Sequence, residues 1–482
     1  MHAHSDSGAL GASTRGARQG RGLSAALGLV TIQEAWQARV SQSLPYRAIA
    51  SARAALYERL APLAATSLAV KLAPLLSLAS ACLLLLASPY VGTGLNALMV
   101  LLAFGTFLFQ WIVEKPVAKE ADGLDLPFLA FLAASIVAVG FSPYLLLSVK
   151  GLAKMLVFWM SFLAFRGALR RGERGWLPLF GALFVAAFAQ SLYGIYQWKI
   201  QVAPLALWDD AEAEVKLTRV YGTLGNPNLL SGYLIPIIPF AVAAAVTWKA
   251  WGLRLLAIGT ALTAPVCLYF TYSRGAYLGM VGEAMVFGAL GLAALWPAIR
   301  RRPWLLAVLA GILALGAVAA VVVYHHSPAM QERLLSITAT RTHSSNSFRM
   351  NVWDGVIRMI KDSWWFGIGL GNDAFRKVYA LYMVSGFEAL GAYNIFLEEM
   401  VEKGILGLLA FVALVGGAIF RALHHFKHGV SRPWAVAAIA ALVGLMIHGM
   451  VDTVFYRPSV QILFWLTLAV VIHLPHRIEG AA

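Results

Sequence analysis

Charged residues are scarce in this sequence, at 13% of 482 positions, whereas hydrophobic residues make up 60%. Soluble globular chains carry about twice that share of charge, so an ordinary soluble protein is excluded. The apolar residues occur in runs of about 20, the length that a helix needs to cross about 30 Å of hydrocarbon. The composition therefore predicts a polytopic membrane protein.

Cysteine is rarer still, with only Cys82 and Cys267. Both lie inside apolar runs, so we expect small buried side chains and not a disulfide framework. The sequence also lacks a glycine-rich phosphate loop and the Cys/His spacing of a metal site. It therefore predicts neither a metal nor a nucleotide cofactor.

Acidic residues are outnumbered by basic ones, 23 against 38, which gives a formal net charge of +15. In a soluble chain this excess would indicate nucleic acid. Here the arginines lie in short loops between apolar runs, which is the distribution that orients membrane helices. We therefore expect membrane lipid around the chain and no nucleic-acid partner.

The fold class predicted from these runs is an all-α transmembrane bundle of about twelve spans. The predicted spans are 72–90, 93–113, 125–142, 149–167, 176–196, 229–248, 252–271, 275–296, 303–324, 399–422, 433–450 and 458–474. The domain organisation is then a basic tail at 1–71, spans one to nine at 72–324, a large loop at 325–398, and spans ten to twelve with a short tail at 399–482. The first tail is expected to be disordered or to lie on the membrane surface as an amphipathic helix.

Basic clusters follow spans four, six, eight and ten, at 166–174, 249–254, 300–302 and 421–432. By the positive-inside tendency these loops and both chain termini are expected in the cytoplasm. Lys150 is an exception, because it falls at the opposite end of its span. The remaining loops, at 197–228 with the acidic sequence WDDAEAE, at 273–274, at 325–398 and at 451–457, are then extracytoplasmic. The longest of them is typical of a functional loop.

The sequence YGTLGNPNLLSGYL at 221–234 contains a helix start. Asn226 suits an N-cap, Pro227 suits the first helical position, and Asn228 follows in the first turn. Unpaired N–H groups at such a start can bind an anion. An ordinary helix start with turn residues explains the same sequence equally well.

The sequence FTYSRGAYLG at 270–279 places Arg274 beside Ser273 at a membrane boundary. Charge near the hydrocarbon is unfavourable, so such an arginine is a candidate functional residue. The alternative is an anchor whose charge reaches the interface, but anchors favour the cytoplasmic side. We therefore favour anion binding by Arg274 and Ser273, where Gly275 permits close approach.

The large loop contains an amphipathic pattern, with apolar residues at helical spacing from Phe348 to Ile360. Ser345 or Ser347 is expected to cap this helix, which puts Arg349 in its first turn. A cation at the positive end of a helix is unfavourable unless an anion is present. This predicts a phosphate or carboxylate site, with a plain polar helix face as the alternative.

Titratable residues cluster around the last three spans. Glu398, Glu399 and Glu402 lie on the outer approach to span ten. His448 and Asp452 are four residues apart, so they are predicted to share one helix face. Such a pair relays a proton or orients a side chain, or it forms a structural hydrogen bond at a helix end.

Several of these sequences, in this order, resemble the O-antigen ligase/polymerase superfamily of bacterial inner-membrane proteins. The resemblance rests on SRG at 273–275, on the large loop before span ten and on residues 393–407. Within the superfamily the chain is most similar to a branch described as bicarbonate transporters of oxygenic phototrophic bacteria. That similarity lies in the sequences YGTLGNPNLLSGYLIP, LYFTYSRGAYLG, SSNSFRMNVW, WWFGIGLGNDAF and HGMVDTVFYRP.

For a ligase, the resemblance implies a metal-independent glycosyltransferase. A glycan moves from a polyprenyl diphosphate carrier to an acceptor sugar at the outer face of the inner membrane. The residues at Arg274 and Arg349 are then the expected diphosphate ligands.

The ligase pattern of His-Asn, nine residues and Gly-x-x-Gly begins here with Tyr393 and Asn394 and ends at 404–407. Tyr393 thus occupies the position of the histidine expected to activate the acceptor hydroxyl. A phenol titrates near pH 10, so it is a poor base at neutral pH, and Glu398 or Glu399 is the alternative.

Three functions follow as hypotheses. Lipid-linked glycan transfer ranks first, because a one-sided cationic site suits an enzyme better than alternating access. Transport of bicarbonate, or assistance to a transporter, ranks second, since the same site can hold a small anion. A scaffold without chemistry of its own ranks third, and the sequence indicates no oligomeric state.

Overall fold

The computed structural model describes residues 29–64, 67–116, 122–205, 218–328, 331, 344–428 and 431–474. Within these ranges the regular structure is helical, which confirms the predicted fold class. The acidic sequence WDDAEAE lies outside the described residues, as do the first 28 residues of the basic tail.

All twelve predicted spans fall on helices. The helices before the large loop are α1 (Leu29–Gln42), α2 (Leu44–Ala64), α3 (Leu68–Ala87), α4 (Thr93–Val113), α5 (Asp125–Gly140), α6 (Leu145–Leu169), α7 (Glu173–Lys199), α8 (Pro227–Leu234), α9 (Ile237–Thr247), α10 (Trp251–Tyr269), α11 (Arg274–Arg301) and α12 (Trp304–His326). The large loop carries α13 (Ser344–Asp362) and α14 (Asn372–Tyr379). The last three predicted spans correspond to α15 (Ile395–His428), α16 (Arg432–Gly449) and α17 (Pro458–Ile472).

Nine helical segments in the described residues are long and apolar enough to cross a membrane, and α8 and α9 count as one of them. Helices α5 and α17 are apolar but shorter, at 16 and 15 residues. The chain is therefore a multi-pass membrane protein with a helical bundle.

The two ends of the bundle differ. At one end, Arg166 pairs with Asp125 at 2.6 Å and Arg421 pairs with Asp122 at 2.7 Å. Arg53 of α2 also docks there, donating from Nε to the Trp111 carbonyl oxygen at 2.8 Å. The opposite end, which we call the loop end, carries residues 200–205, 218–226, 363–394 and 450–457. Most residues predicted to be functional lie at or near the loop end.

Helix α15 is interrupted close to the loop end. Gly404 has φ 65° and ψ −169°, a conformation that is essentially restricted to glycine. A Cβ atom at this position would overlap the Trp365 carbonyl oxygen. The Ile405 N–H donates to the Trp364 carbonyl oxygen at 2.8 Å. The break therefore allows residues 364 and 365 to pack directly against the backbone of α15.

The segment 363–371, which we call the glycine segment, continues across this break. The N–H groups of Ile368 and Gly369 donate to carbonyl oxygens of α15 at 2.9 and 3.0 Å. On its other side, Ser142 Oγ donates to the Ile368 carbonyl oxygen and the Leu370 N–H donates to Ser148 Oγ, both at 2.7 Å. The glycine segment thus joins α15 to the start of α6.

Helix α11 packs closely on α16 through small residues, as membrane helices commonly do. A Cβ atom at Gly279 would lie 2.8 Å from the Gly444 carbonyl oxygen. At Gly275 it would lie 2.8 Å from His448 Cδ2. This close packing holds the first residue of α11, Arg274, beside the C-terminal end of α16.

Replacing Gly404 with alanine is expected to destabilise the bundle by about 3 kcal/mol or more, because the new Cβ meets backbone and the φ/ψ pair is strained. Gly416→Ala is the matched control, since it lies in the same helix and its new methyl group would have no atom within 4 Å. Unfolding of the purified protein in detergent checks both. Equal stability of the two variants would show that the break is not constrained.

Candidate functional site

Asp452 lies at the centre of a polar cluster at the loop end. Its Oδ2 accepts a hydrogen bond from Asn228 Nδ2 at 2.6 Å and lies 3.5 Å from Arg349 Nη2. Its Oδ1 accepts from the Thr453 N–H at 2.8 Å. One largely buried carboxylate therefore joins α8, α13 and the turn after α16. We call Asp452, Asn228, Arg349 and Arg219 the Asp452 cluster.

Arg219 belongs to this cluster and was missed by the sequence analysis. Its Nη2 donates to Asn228 Oδ1 at 3.1 Å, and its Nε donates to the Thr271 carbonyl oxygen at 3.0 Å. Burial lowers the pKa of its guanidinium to about 10, against the opposing effect of Asp452, so the group stays charged at neutral pH. The sequence did contain a signal for Arg219, because this arginine lies two residues before Tyr221, where the YGTLGNPN sequence begins.

The predicted cap of α13 was wrong, because the helix begins at Ser344 and contains both Ser345 and Ser347. Arg349 is its sixth residue and lies in the second turn, not the first. Its Nη1 donates to Ser345 Oγ at 2.9 Å. Its Nε is buried and has no hydrogen-bond partner among the described residues. Buried donors are normally paired, so this one indicates a place for an additional acceptor. The cluster holds two guanidinium groups and one carboxylate, since Arg349 lies beside Asp452 and Arg219 is linked to it through Asn228. The excess of positive charge favours an anion.

Asn226 caps α8, as predicted. Its side chain accepts from the N–H groups of Asn228 and Leu229 at 2.8 and 3.4 Å, and Pro227 is the first helical residue. These N–H groups are therefore used by the cap. The geometry favours a structural role for Asn226. Asn228, whose side chain bonds to Arg219 and Asp452, is the better candidate for the binding site.

Ser273 and Arg274 form the start of α11. Ser273 is buried, and its N–H donates to Thr271 Oγ1 at 3.3 Å. Arg274 is half-buried and is followed by Gly275, which packs on His448. Arg274 and Arg349 thus lie on two elements that both contact residues 448–452.

The prediction that His448 and Asp452 share one helix face was wrong. Helix α16 ends at Gly449, and Asp452 lies in the turn that follows. His448 is fully buried, and neither ring nitrogen has a hydrogen-bond partner among the described residues. The two side chains therefore form no direct proton relay in this structure.

Tyr393 lies just before α15, with a left-handed φ of 51° that is unusual for a bulky residue. Its ring packs edge-on against Phe348 at 5.3 Å between centroids. Burial raises the pKa of its phenol, and the carboxylate of Asp452 adds to this. The phenol is therefore protonated at neutral pH and donates hydrogen bonds better than it accepts protons.

Asn394 caps α15. Its Oδ1 accepts from the N–H groups of Phe396 and Leu397 at 2.9 and 3.1 Å. Glu398, one turn later, is buried and accepts from the Ala392 N–H. Both side chains therefore hold the loop before α15 in place, which favours structural roles.

Glu399 belongs to a buried ionic group with Glu402 and Lys403. Lys403 Nζ lies 3.0 Å from Glu399 and 3.1 Å from Glu402, and its side chain is completely buried. Glu399 also accepts from the Tyr456 hydroxyl at 2.9 Å, and Glu402 accepts from the Gly371 N–H at 2.9 Å. The lysine was missed by sequence analysis. These contacts favour structural roles for both carboxylates.

Residues 258–412 match the family model described as O-antigen ligase. The resemblance to the O-antigen ligase superfamily is therefore confirmed. A search of curated proteins found no match to the chain.

The O-antigen ligase match contains Ser273, Arg274, Arg349 and the residues from Tyr393 to Glu399. Arg219, Asn228, His448 and Asp452 lie outside it. The Asp452 cluster therefore connects the matched region to parts of the chain on both sides of it. The match does not test the resemblance to the bicarbonate branch.

Replacing Lys403 with methionine is expected to lower the free energy of unfolding by about 3–5 kcal/mol, since two buried carboxylates lose their cation. The triple variant Glu399→Gln, Glu402→Gln, Lys403→Met keeps the acceptors for Tyr456 and Gly371 without unpaired charge. It is expected to recover most of the loss. Unfolding in mixed micelles measures both, and a stable single variant would contradict a structural role for the ionic group.

Proposed function

We propose that the protein binds a polyprenyl-diphosphate-linked glycan and transfers the glycan to an acceptor sugar. The observation that carries the proposal is the Asp452 cluster, in which Arg349 lies beside the Asp452 carboxylate and Arg219 is linked to it through Asn228. The O-antigen ligase match supports this substrate class. Arg274 is proposed as a third ligand, because it begins a helix that packs on residues 448–452.

The cluster suits a diphosphate better than a single small anion. Arginine presents a planar fork of donors that pairs with two phosphate oxygens at once. Arg349 keeps a buried Nε without an acceptor among the described residues, and Asp452 balances only part of the local charge. A diphosphate at this place would supply both acceptors and negative charge.

In the proposed reaction, the bond between the glycan's anomeric carbon and the diphosphate oxygen breaks. The acceptor hydroxyl oxygen forms the new bond to that carbon, and its proton passes to an oxygen of the leaving diphosphate. Negative charge develops on the leaving diphosphate, and fixed guanidinium groups stabilise such charge. We assign the main rate enhancement to this effect, because Tyr393 is protonated and Glu398 and Glu399 already have partners.

The placement of the site in the membrane is part of the proposal. Basic clusters lie at the end of the bundle opposite the loop end, which favours a cytoplasmic position for that end and for both chain termini. The loop end would then face outward from the inner membrane. Lipid-linked glycan would reach the Asp452 cluster from the outer leaflet.

Arg349→Gln is expected to weaken binding of radiolabelled polyprenyl diphosphate by about tenfold or more, because it removes a charge-assisted contact. Arg274→Ala is expected to lower binding and to abolish glycan transfer. Lys361→Gln is the control, since it removes one charge from an exposed position on the same helix. Both measurements use the full-length protein in nanodiscs. Binding and transfer that survive in both arginine variants would refute the proposal.

Tyr393→Phe is expected to keep carrier binding and most glycan transfer. Because the pKa of the phenol is raised, Tyr393 stays protonated at neutral pH and does not take a proton from the acceptor hydroxyl. Tyr393→His introduces a group that titrates near pH 6.5. Its transfer rate is expected to rise from about pH 5.5 to about pH 7.5 as the imidazole loses its proton, a limb that the unsubstituted protein lacks. A limb in the unsubstituted protein that Tyr393→Phe removes would show that the tyrosine is the base.

A further inference from the structure

A second cationic cavity lies at the loop end. Its volume is about 320 Å³, at the lower end of the range for small-ligand pockets. Its walls come from α6, the start of α14 and the turn that leads into α17. Lys150, Lys154 and Arg457 supply its cationic side chains. Lys150 is the residue that departs from the positive-inside pattern.

Lys150 and Lys154 lie one turn apart on α6, a helix long and apolar enough to span the membrane. Lys154 is nine residues into the helix, or roughly 13 Å along its axis. Neither lysine forms an ion pair within the described residues. Two like charges at this spacing repel each other, and charge at this depth is unfavourable without a partner. An anion bound between the two lysines would reduce both costs.

The carboxylates in the cavity wall do not neutralise it. Glu402 is already paired with Lys403 and accepts from the Gly371 N–H. Asp373 lies in the first turn of α14, where the helix dipole stabilises it. Three cations therefore face one carboxylate that lacks a cationic partner among the described residues.

The cavity is fixed by close packing at the level of the lysines. A Cβ atom at Gly151 would overlap the Leu370 carbonyl oxygen. Helix α6 therefore touches the glycine segment directly between the two lysines. The backbone positions of the two lysines are therefore set by close packing and not by a mobile loop.

Apolar side chains are exposed beside the cavity on α6. Leu145 is 52% exposed, Leu146 is 78% exposed and Val149 is 46% exposed. These residues lie on a surface suited to lipid chains, next to the cationic lining. A ligand with an anionic headgroup and an apolar tail would contact both.

We propose that this cavity binds the phosphate headgroup of a membrane lipid, at a site separate from the Asp452 cluster. The inference goes beyond the proposed function and does not require it. Thr453 lines the cavity, and its N–H donates to Asp452. A headgroup bound here would therefore be a neighbour of the carrier site.

The test measures binding of radiolabelled phosphatidic acid to the full-length protein in phosphatidylcholine nanodiscs. The variant Lys150→Gln, Lys154→Gln is expected to bind about tenfold more weakly, because two charge-assisted contacts are lost. The control variant Arg376→Gln, Lys377→Gln removes two exposed charges from α14 that do not line the cavity, and it is expected to bind normally. Equal binding by the lysine variant and the unsubstituted protein would overturn the proposal.

Two further measurements separate the remaining outcomes. Dodecyl phosphate is expected to displace phosphatidic acid at far lower concentration than inorganic phosphate; equal potency would mean a free-phosphate site and would overturn the lipid assignment. Arg457 precedes α17 and lies outside the predicted spans. The variant Arg457→Gln is expected to weaken binding of phosphatidic acid, and it tests the proposal even if the lysine variant does not fold. Arg349→Gln is expected to keep phosphatidic acid binding while it weakens polyprenyl diphosphate binding by about tenfold or more, so the two proposals can fail independently.

Discussion

The loop end depends on one backbone constraint, the interruption of α15 at Gly404. Only glycine tolerates both its φ of 65° and the approach of the Trp365 carbonyl oxygen. The break frees carbonyl oxygens of α15, and the glycine segment pairs with them. Because the same segment also bonds to Ser142 and Ser148, a single irregular point ties two distant spans together.

The interruption at Gly404 also lies next to the residues that position the polar clusters. The buried ionic group lies just before the break, and Glu399 holds the hydroxyl of Tyr456. Tyr456 follows Thr453 and precedes Arg457, so its fixed position sets the turn that supplies Asp452 to one site and Arg457 to the other. Packing inside the bundle and the geometry of the anion sites are therefore coupled through a few hydrogen bonds.

The helices and the local capping at Asn226 could be predicted from the sequence. Apolar run length predicted helices at all twelve positions, and the N-cap at Asn226 followed from its residue types. Sequence reasoning did not reach Arg219 or Lys403, because their roles depend on tertiary packing that a linear pattern does not show. It placed Asp452 on a helix, since spacing alone cannot reveal that α16 ends at Gly449. Residue roles at the site thus depended on tertiary contacts.

The buried ionic group also has a consequence for biosynthesis. Glu399, Glu402 and Lys403 belong to a segment that must enter the bilayer, yet their partners Gly371 and Tyr456 lie on either side of it in the chain. Lys403 pairs with both carboxylates within the segment, but the hydrogen bond from Tyr456 to Glu399 cannot form before the turn ahead of α17 has been synthesised. The hydrogen bonds of this group are therefore completed only after α15 and α16 have both been made.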